Sequence, residues 1–199
     1  MYKILLIGLL LLGLGSPVYA GTMDSYIVKP GDSMWKIAVK YQIGVSEIIN
    51  ANKDVKNPNL IYPKQKLNVP NLDNLKSFEN QVISLTNQER AKAGIPGLQT
   101  DWELSRVARH KSEEMSNLKY FSHTSPKYGS PFDMMKAFGI QYKTAGENIA
   151  QGQSSPDSVV KSWMNSPGHR QNILSPNYTH IGVGFSSNGN YWTQQFISK

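Results

Sequence analysis

His123, Glu147 and His169 are the residues whose types and setting suit chemistry. Each histidine stands in a turn-forming run, Tyr120-Phe121-Ser122-His123-Thr124 and Ser166-Pro167-Gly168-His169-Arg170. The glutamate lies between them in Ala145-Gly146-Glu147-Asn148-Ile149-Ala150, among small and apolar residues. Imidazole titrates near neutral pH, so two such rings and a carboxylate form an acid/base set. Neutral imidazole and carboxylate also ligate a divalent metal such as zinc, and three protein ligands leave a position open for water. No two histidines lie one helical turn apart, so the short-spacing zinc helix motif is absent. Ser122 and Ser166 offer hydroxyls near the histidines, but no strained nucleophile turn surrounds either. His110, between Arg109 and Lys111 in a helical stretch, is expected in solvent, and His180, ahead of an apolar run, in a structural role.

The scaffold that must position this trio begins near Phe78. Phe78, Val82 and Leu85 form a helical stripe that stops at Gly94-Ile95-Pro96-Gly97. Asp101 caps a long helix with an apolar face of Leu104, Val107, Ala108, Met115 and Leu118. Ser130-Pro131 opens a third helix and Ser155-Pro156-Asp157 a fourth. Strands are expected from Tyr142 to Ala150, at Ile181-Gly182-Val183-Gly184-Phe185 and at Tyr191 to Ile197, with Ser187-Asn188-Gly189-Asn190 as a hairpin turn. Helices from both halves then enclose a mainly antiparallel sheet.

A smaller unit precedes it, over residues 25–70. Its expected order is strand, helix, helix, strand: Ser25-Tyr26-Ile27-Val28, a Lys29-Pro30-Gly31-Asp32 turn, helices near Trp35 to Tyr41 and Val45 to Ala51, and a closing strand at Leu67-Asn68-Val69-Pro70. Trp35 and Tyr41 are expected in its core. Residues 71–77 are polar and contain Asn71 and Asn74, and are expected to be a linker. The fold class is therefore α+β, a small βααβ module followed by an αβα sandwich.

Composition bounds the setting. Lys3 is followed by an apolar run from Ile4 to Leu14, and Val18-Tyr19-Ala20 suits signal peptidase, so residues 1–20 read as a signal peptide. The run is too short for a convincing membrane span, and none is expected after cleavage. The chain has no cysteine, which excludes disulfides and lipid attachment at a cysteine. The net charge of +7 suits a polyanionic surface, but the basic residues are dispersed and no nucleic-acid motif is present.

Two resemblances enter here. Tyr26-Ile27-Val28-Lys29-Pro30-Gly31-Asp32-Ser33-Met34-Trp35-Lys36-Ile37-Ala38, with Asn50-Ala51-Asn52 and Asn59-Leu60-Ile61-Tyr62-Pro63-Lys64-Gln65-Lys66-Leu67, resembles a LysM domain. The resemblance implies binding of peptidoglycan or another N-acetylglucosamine polymer by Gly31, Asp32, Ser33, Met34, Asn59, Leu60, Ile61 and Tyr62. Lys64 departs from the pattern, standing where the family usually has glycine. From Phe78 to Lys199, the Ser122-His123, Gly146-Glu147-Asn148, Gly168-His169 and Ile181-Gly182-Val183-Gly184 motifs, with Trp192-Thr193-Gln194, resemble the CAP superfamily in its disulfide-free bacterial branch of SCP-like extracellular proteins. That implies a cavity lined by His123, Glu147 and His169, with Ser166 in the slot of a second acid.

Together these imply a secreted, wall-associated bacterial protein, with the CAP domain acting as a binding or interaction module. A metal-dependent or acid/base hydrolase of peptidoglycan or protein is the alternative, and a spore envelope assembly role is another. The missing second acid and the absence of cysteine weigh against enzymatic turnover.

Overall fold

The computed structural model describes residues 22–199; the expected signal peptide lies outside them. In the first unit, β1 (Thr22–Ile27) pairs antiparallel with β2 (Lys66–Asn71), placing Tyr26 opposite Leu67. Two short helices, α1 (Met34–Tyr41) and α2 (Val45–Ala51), lie between them in sequence. Ser33 caps α1 by accepting the Lys36 N–H, as a short hydroxyl side chain at a helix start does. Tyr26, Val28, Met34, Ile37, Ile48, Leu67 and Val69 form the core. Buried Asn52 ties α2 to β2, donating to the Ile48 and Asn68 carbonyls and accepting the Asn68 N–H.

Trp35 is not in this core; it is 65% exposed. The buried stripe of α1 runs through Met34, Ile37, Ala38 and half-buried Tyr41, which is the spacing of one helical face. Trp35 is one residue, or about 100°, off that face.

The linker expected over residues 71–77 is mostly helix. Asn71 closes β2, its side chain accepts the Asp73 N–H at 2.9 Å, and α3 (Asp73–Lys92) begins there. The polar run that reads as a loop is the solvated first turn and a half of a long helix.

The second unit is built on a four-stranded sheet in the order β3-β5-β6-β4. These strands are Gln99–Thr100, His180–Ser186, Tyr191–Ser198 and Thr144–Gln151 respectively. β3 pairs parallel with β5, and the other pairs are antiparallel. Side-chain alternation assigns the faces. Trp192 and Phe196 of β6 and Ile181, Val183 and Phe185 of β5 pack with Val82 and Ile83 of α3, with Val159, Val160 and Trp163 of α6 (Pro156–Met164), and with Ile173 of α7 (Pro167–Ile173). α4 (Trp102–Leu118) covers the opposite face, with α5 (Pro131–Ala137) beside it. Gly182 and Gly184 permit this cover, because a Cβ on either would overlap the α4 backbone at Leu104–Ser105 or Ala108–Arg109. Buried Arg109 on α4 makes a bidentate pair with buried Glu79 on α3, whose carboxylate also accepts the Phe185 N–H at 3.2 Å.

The two units touch. Glu47 of α2 accepts from Arg106 Nε at 2.9 Å and lies 3.0 Å from His110 Nε2, while Lys76 Nζ donates to the Tyr41 carbonyl at 2.6 Å. His110 is therefore not a solvated helix residue but an interdomain partner.

Candidate functional site

The chain leaves α4 through Lys119, in the left-handed region at φ 54°, and turns back over its own helix. Glu114 on α4 holds that loop: its two oxygens accept from the Tyr120 hydroxyl at 2.6 Å and the Ser125 hydroxyl at 2.9 Å. The Ser125 oxygen in turn accepts the Lys127 and Tyr128 N–H groups. This pinned loop carries His123 to the outer edge of the sheet, where β4 is the last strand. His123 Nδ1 lies 2.8 Å from Glu147 Oε1. Glu147 Oε2 accepts Gln195 Nε2 at 2.9 Å, from the residue paired with it on β6. The Glu147 side chain is 2% exposed and that of His123 is 48% exposed, so a buried carboxylate orients a ring that faces solvent.

His169 approaches from α7, on the other side of the sheet edge. Asn148 donates to the His169 carbonyl at 3.1 Å and to Gln194 Oε1 at 3.0 Å, while Asn172 donates to Asn148 Oδ1 at 2.8 Å and to the Glu147 carbonyl at 3.3 Å. Gln194 continues the chain to Thr86 on α3. These amides fix α7 against β4, and so fix His169 relative to Glu147. Burial pushes the His169 pKa down, and the charge of nearby His123 pushes it the same way.

Beneath the pair sits Lys111, fully buried on α4, with its ammonium donating to the Tyr120 hydroxyl at 3.0 Å. Burial lowers its pKa, while Glu147 and Glu114 oppose that shift. Composition and spacing do not single out Lys111, Glu114 or Gln195. The nearest signal is the i, i+3 step from Lys111 to Glu114 on one helix, which is common on surface helices.

The structure brings His123 and Glu147 into contact and His169 close enough to feel His123. It does not gather them as a metal cage: among the described residues no group of three or more His, Asp or Glu is placed to hold a metal ion. Each Glu147 oxygen already has a hydrogen-bond partner, His123 Nδ1 on Oε1 and Gln195 Nε2 on Oε2. Ser166, in the slot of a second acid, is the half-buried N-cap of α7 and adds no carboxylate.

In the first unit the expected glycan residues divide. Gly31 gives its carbonyl to Lys36 Nζ, Asp32 accepts from the Tyr26 hydroxyl and the Lys29 N–H, and Ser33 caps α1. Met34 is 4% exposed and belongs to the core. It opens the buried stripe of α1 that Trp35 was expected to join. On the other loop, Asn59 donates its N–H to Asn57 Oδ1, Ile61 packs partly on the core, and Leu60 and Tyr62 are 51% and 59% exposed. A cavity of about 590 Å³ opens beside Leu60 and Tyr62; Gly31 to Met34 do not line it.

The four-stranded sheet with helices on both faces is the arrangement of a CAP fold. The chain belongs to that family: residues 83–196 match the model described as the Cysteine-rich secretory protein family, and residues 26–70 match the LysM domain. It is similar to YkwD of Bacillus subtilis (strain 168), with 63% identity over 123 residues, covering 62% of this chain and 48% of that relative. The chain thus spans about half the length of this curated relative. An extracellular protein containing a SCP domain from Bacillus anthracis str. Ames has a similar structure, with a TM-score of 0.60 and 36% identity, covering 69% of this chain and 47% of that one. The first unit is 40% identical over 60 residues to the Secreted LysM effector Mgx1LysM of Zymoseptoria tritici (strain ST99CH_3D7), covering 29% of this chain and 61% of that relative.

Proposed function

We propose that this protein is exported by the leader at residues 1–20 and is held at the cell wall by its LysM domain. That domain binds peptidoglycan or another N-acetylglucosamine polymer. The CAP cleft of His123, Glu147 and His169 then acts as a binding site without turnover. The observation that carries the second half is the state of Glu147: buried, and bonded through both oxygens. Glycoside hydrolysis by an acid/base pair needs two carboxyl groups facing the bond, and Glu114 is engaged by Tyr120 and Ser125. The exposed ring of His123, oriented by a buried carboxylate, suits hydrogen bonding to a polar ligand.

Two measurements test this. Residues 21–199 should sediment with purified insoluble peptidoglycan; protein left wholly in the supernatant would remove the wall-binding claim. The same mixture, with and without added zinc, should release no soluble fragments. Release that disappears in Glu147→Gln would make the cleft a hydrolytic centre.

A further inference from the structure

The LysM unit contains the same turn twice, built with different residues. In Lys29-Pro30-Gly31-Asp32 the Asp32 N–H donates to the Lys29 carbonyl at 3.1 Å, and Gly31 has φ 83°. In Tyr62-Pro63-Lys64-Gln65 the Gln65 N–H donates to the Tyr62 carbonyl at 3.0 Å, and Lys64 has φ 73°. Proline second and positive φ third define a type II turn, whose third position favours glycine because a Cβ there is crowded. Lys64 therefore carries strain that Gly31 does not.

Neighbouring bonds force that conformation on Lys64. Its N–H donates to the Val28 carbonyl at 2.8 Å, the Val28 N–H donates to the Gln65 carbonyl at 2.9 Å, and the Tyr62 N–H donates to the Gln65 side chain at 3.0 Å. Strain held in this way points to a use for the side chain outside folding. Among the described residues the Lys64 ammonium makes no hydrogen bond or ion pair, and neither does that of Lys56. Both line the cavity of about 590 Å³, with exposed Leu60 and Tyr62 as its apolar wall and Asp54 as its one acid. An aromatic face beside two free cations matches a sugar ring that carries negative charge.

We propose that this cavity is a subsite for an acidic saccharide, its ring lying on Tyr62 and Leu60 and its carboxylate or phosphate lying between Lys56 and Lys64. The subsite rests on the reading of the LysM domain as a glycan binder and adds to it a preference for anionic substituents. It also gives the lysine at the glycine position a role.

Calorimetric titration of residues 21–199 tests this with three probes: the neutral N-acetylglucosamine tetramer, a muramyl-peptide oligomer carrying free carboxylates, and soluble poly(glycerol phosphate). The unaltered protein should prefer an acidic probe to the neutral tetramer, and the preference should shrink at high salt. Whichever acidic probe is preferred identifies the source of the charge. Lys64→Gly should raise the thermal midpoint by about 2 °C by removing the strain. It should leave tetramer affinity unchanged and weaken the acidic probe about fivefold, the size of one partly exposed charge contact. Lys64→Gln keeps the strain and should weaken the acidic probe without the gain in midpoint. Equal acidic-probe affinity in all three proteins would overturn the subsite while leaving the glycan-binding reading intact. Failure of every probe to bind the unaltered protein would overturn both.

Discussion

Glu147 serves two masters at the residue scale: one oxygen orients His123, and the other satisfies the amide of fully buried Gln195. His169 lies near enough to His123 to feel its charge, and its depressed pKa records burial first and that charge second. The folded state therefore resists protonating His169. Its contribution to stability is complete above the ordinary histidine value of about 6.5 and is lost as pH falls from there through the lower folded value. His123→Ala removes the smaller of the two causes. The His169 titration midpoint should move up, part of the way towards the ordinary value, and the loss of stability on acidification should become shallower. Imidazole proton shifts followed by NMR against pH check the first, and urea midpoints at neutral and mildly acidic pH check the second. An unmoved His169 midpoint would mean that the two rings do not share a cleft.

At the scale of elements, the cleft depends on how α3, α4 and the edge of the sheet are held. α4 rests on Gly182 and Gly184, while the buried Glu79–Arg109 pair joins α3, α4 and the Phe185 backbone. Replacing such a pair with apolar residues can be neutral, but removing one partner leaves a buried charge uncompensated. Glu79→Ala should cost about 3–5 kcal/mol, measured by chemical denaturation. A loss under about 1 kcal/mol would show that water replaces the carboxylate. Neither residue was legible as a pair, because Glu79 and Arg109 read as ordinary charged positions on two separate helices. Only the packing of those helices on β5 makes them partners.

At the scale of the whole molecule, Glu47 joins the domains. Burial pushes its carboxyl upward, but hydrogen bonds from His110, Arg106 and Ser46 outweigh that and hold it well below the usual carboxylate range. The contribution is present above the ordinary carboxylate value of about 4.5 and is lost as pH falls below it towards the depressed folded value. Phe138 backs the cluster, with the Arg106 guanidinium 5.2 Å from its ring centroid and the His110 ring 5.1 Å away. This contact joins α2 of the first unit to α4 of the second. Glu47→Ala should cost about 1–2 kcal/mol of coupling, the sum of a few partly exposed polar contacts. In scanning calorimetry of residues 21–199, a single transition should then separate into two. One unchanged transition would mean that the domains are coupled elsewhere.

The sequence alone determined the two units and the order of nearly all their elements, and it singled out His123 and Glu147, which the fold brings into contact. Those features are written locally, in turn residues, helix caps, alternating strands and motif spacing. It misplaced Trp35 by one helical position, read the start of α3 as linker and left His110 in solvent. Each of those errors concerns which side of an element faces another, and that is settled only when elements pack. For the same reason, the tertiary structure alone decided that the Glu147 carboxylate meets His123 on one oxygen and Gln195 on the other. It also decided that Lys111 lies beneath them, and that Lys64 keeps a glycine's backbone conformation at the rim of a cavity. A carboxylate's partners and a lysine's strain depend on distances across the fold, which residue order does not contain.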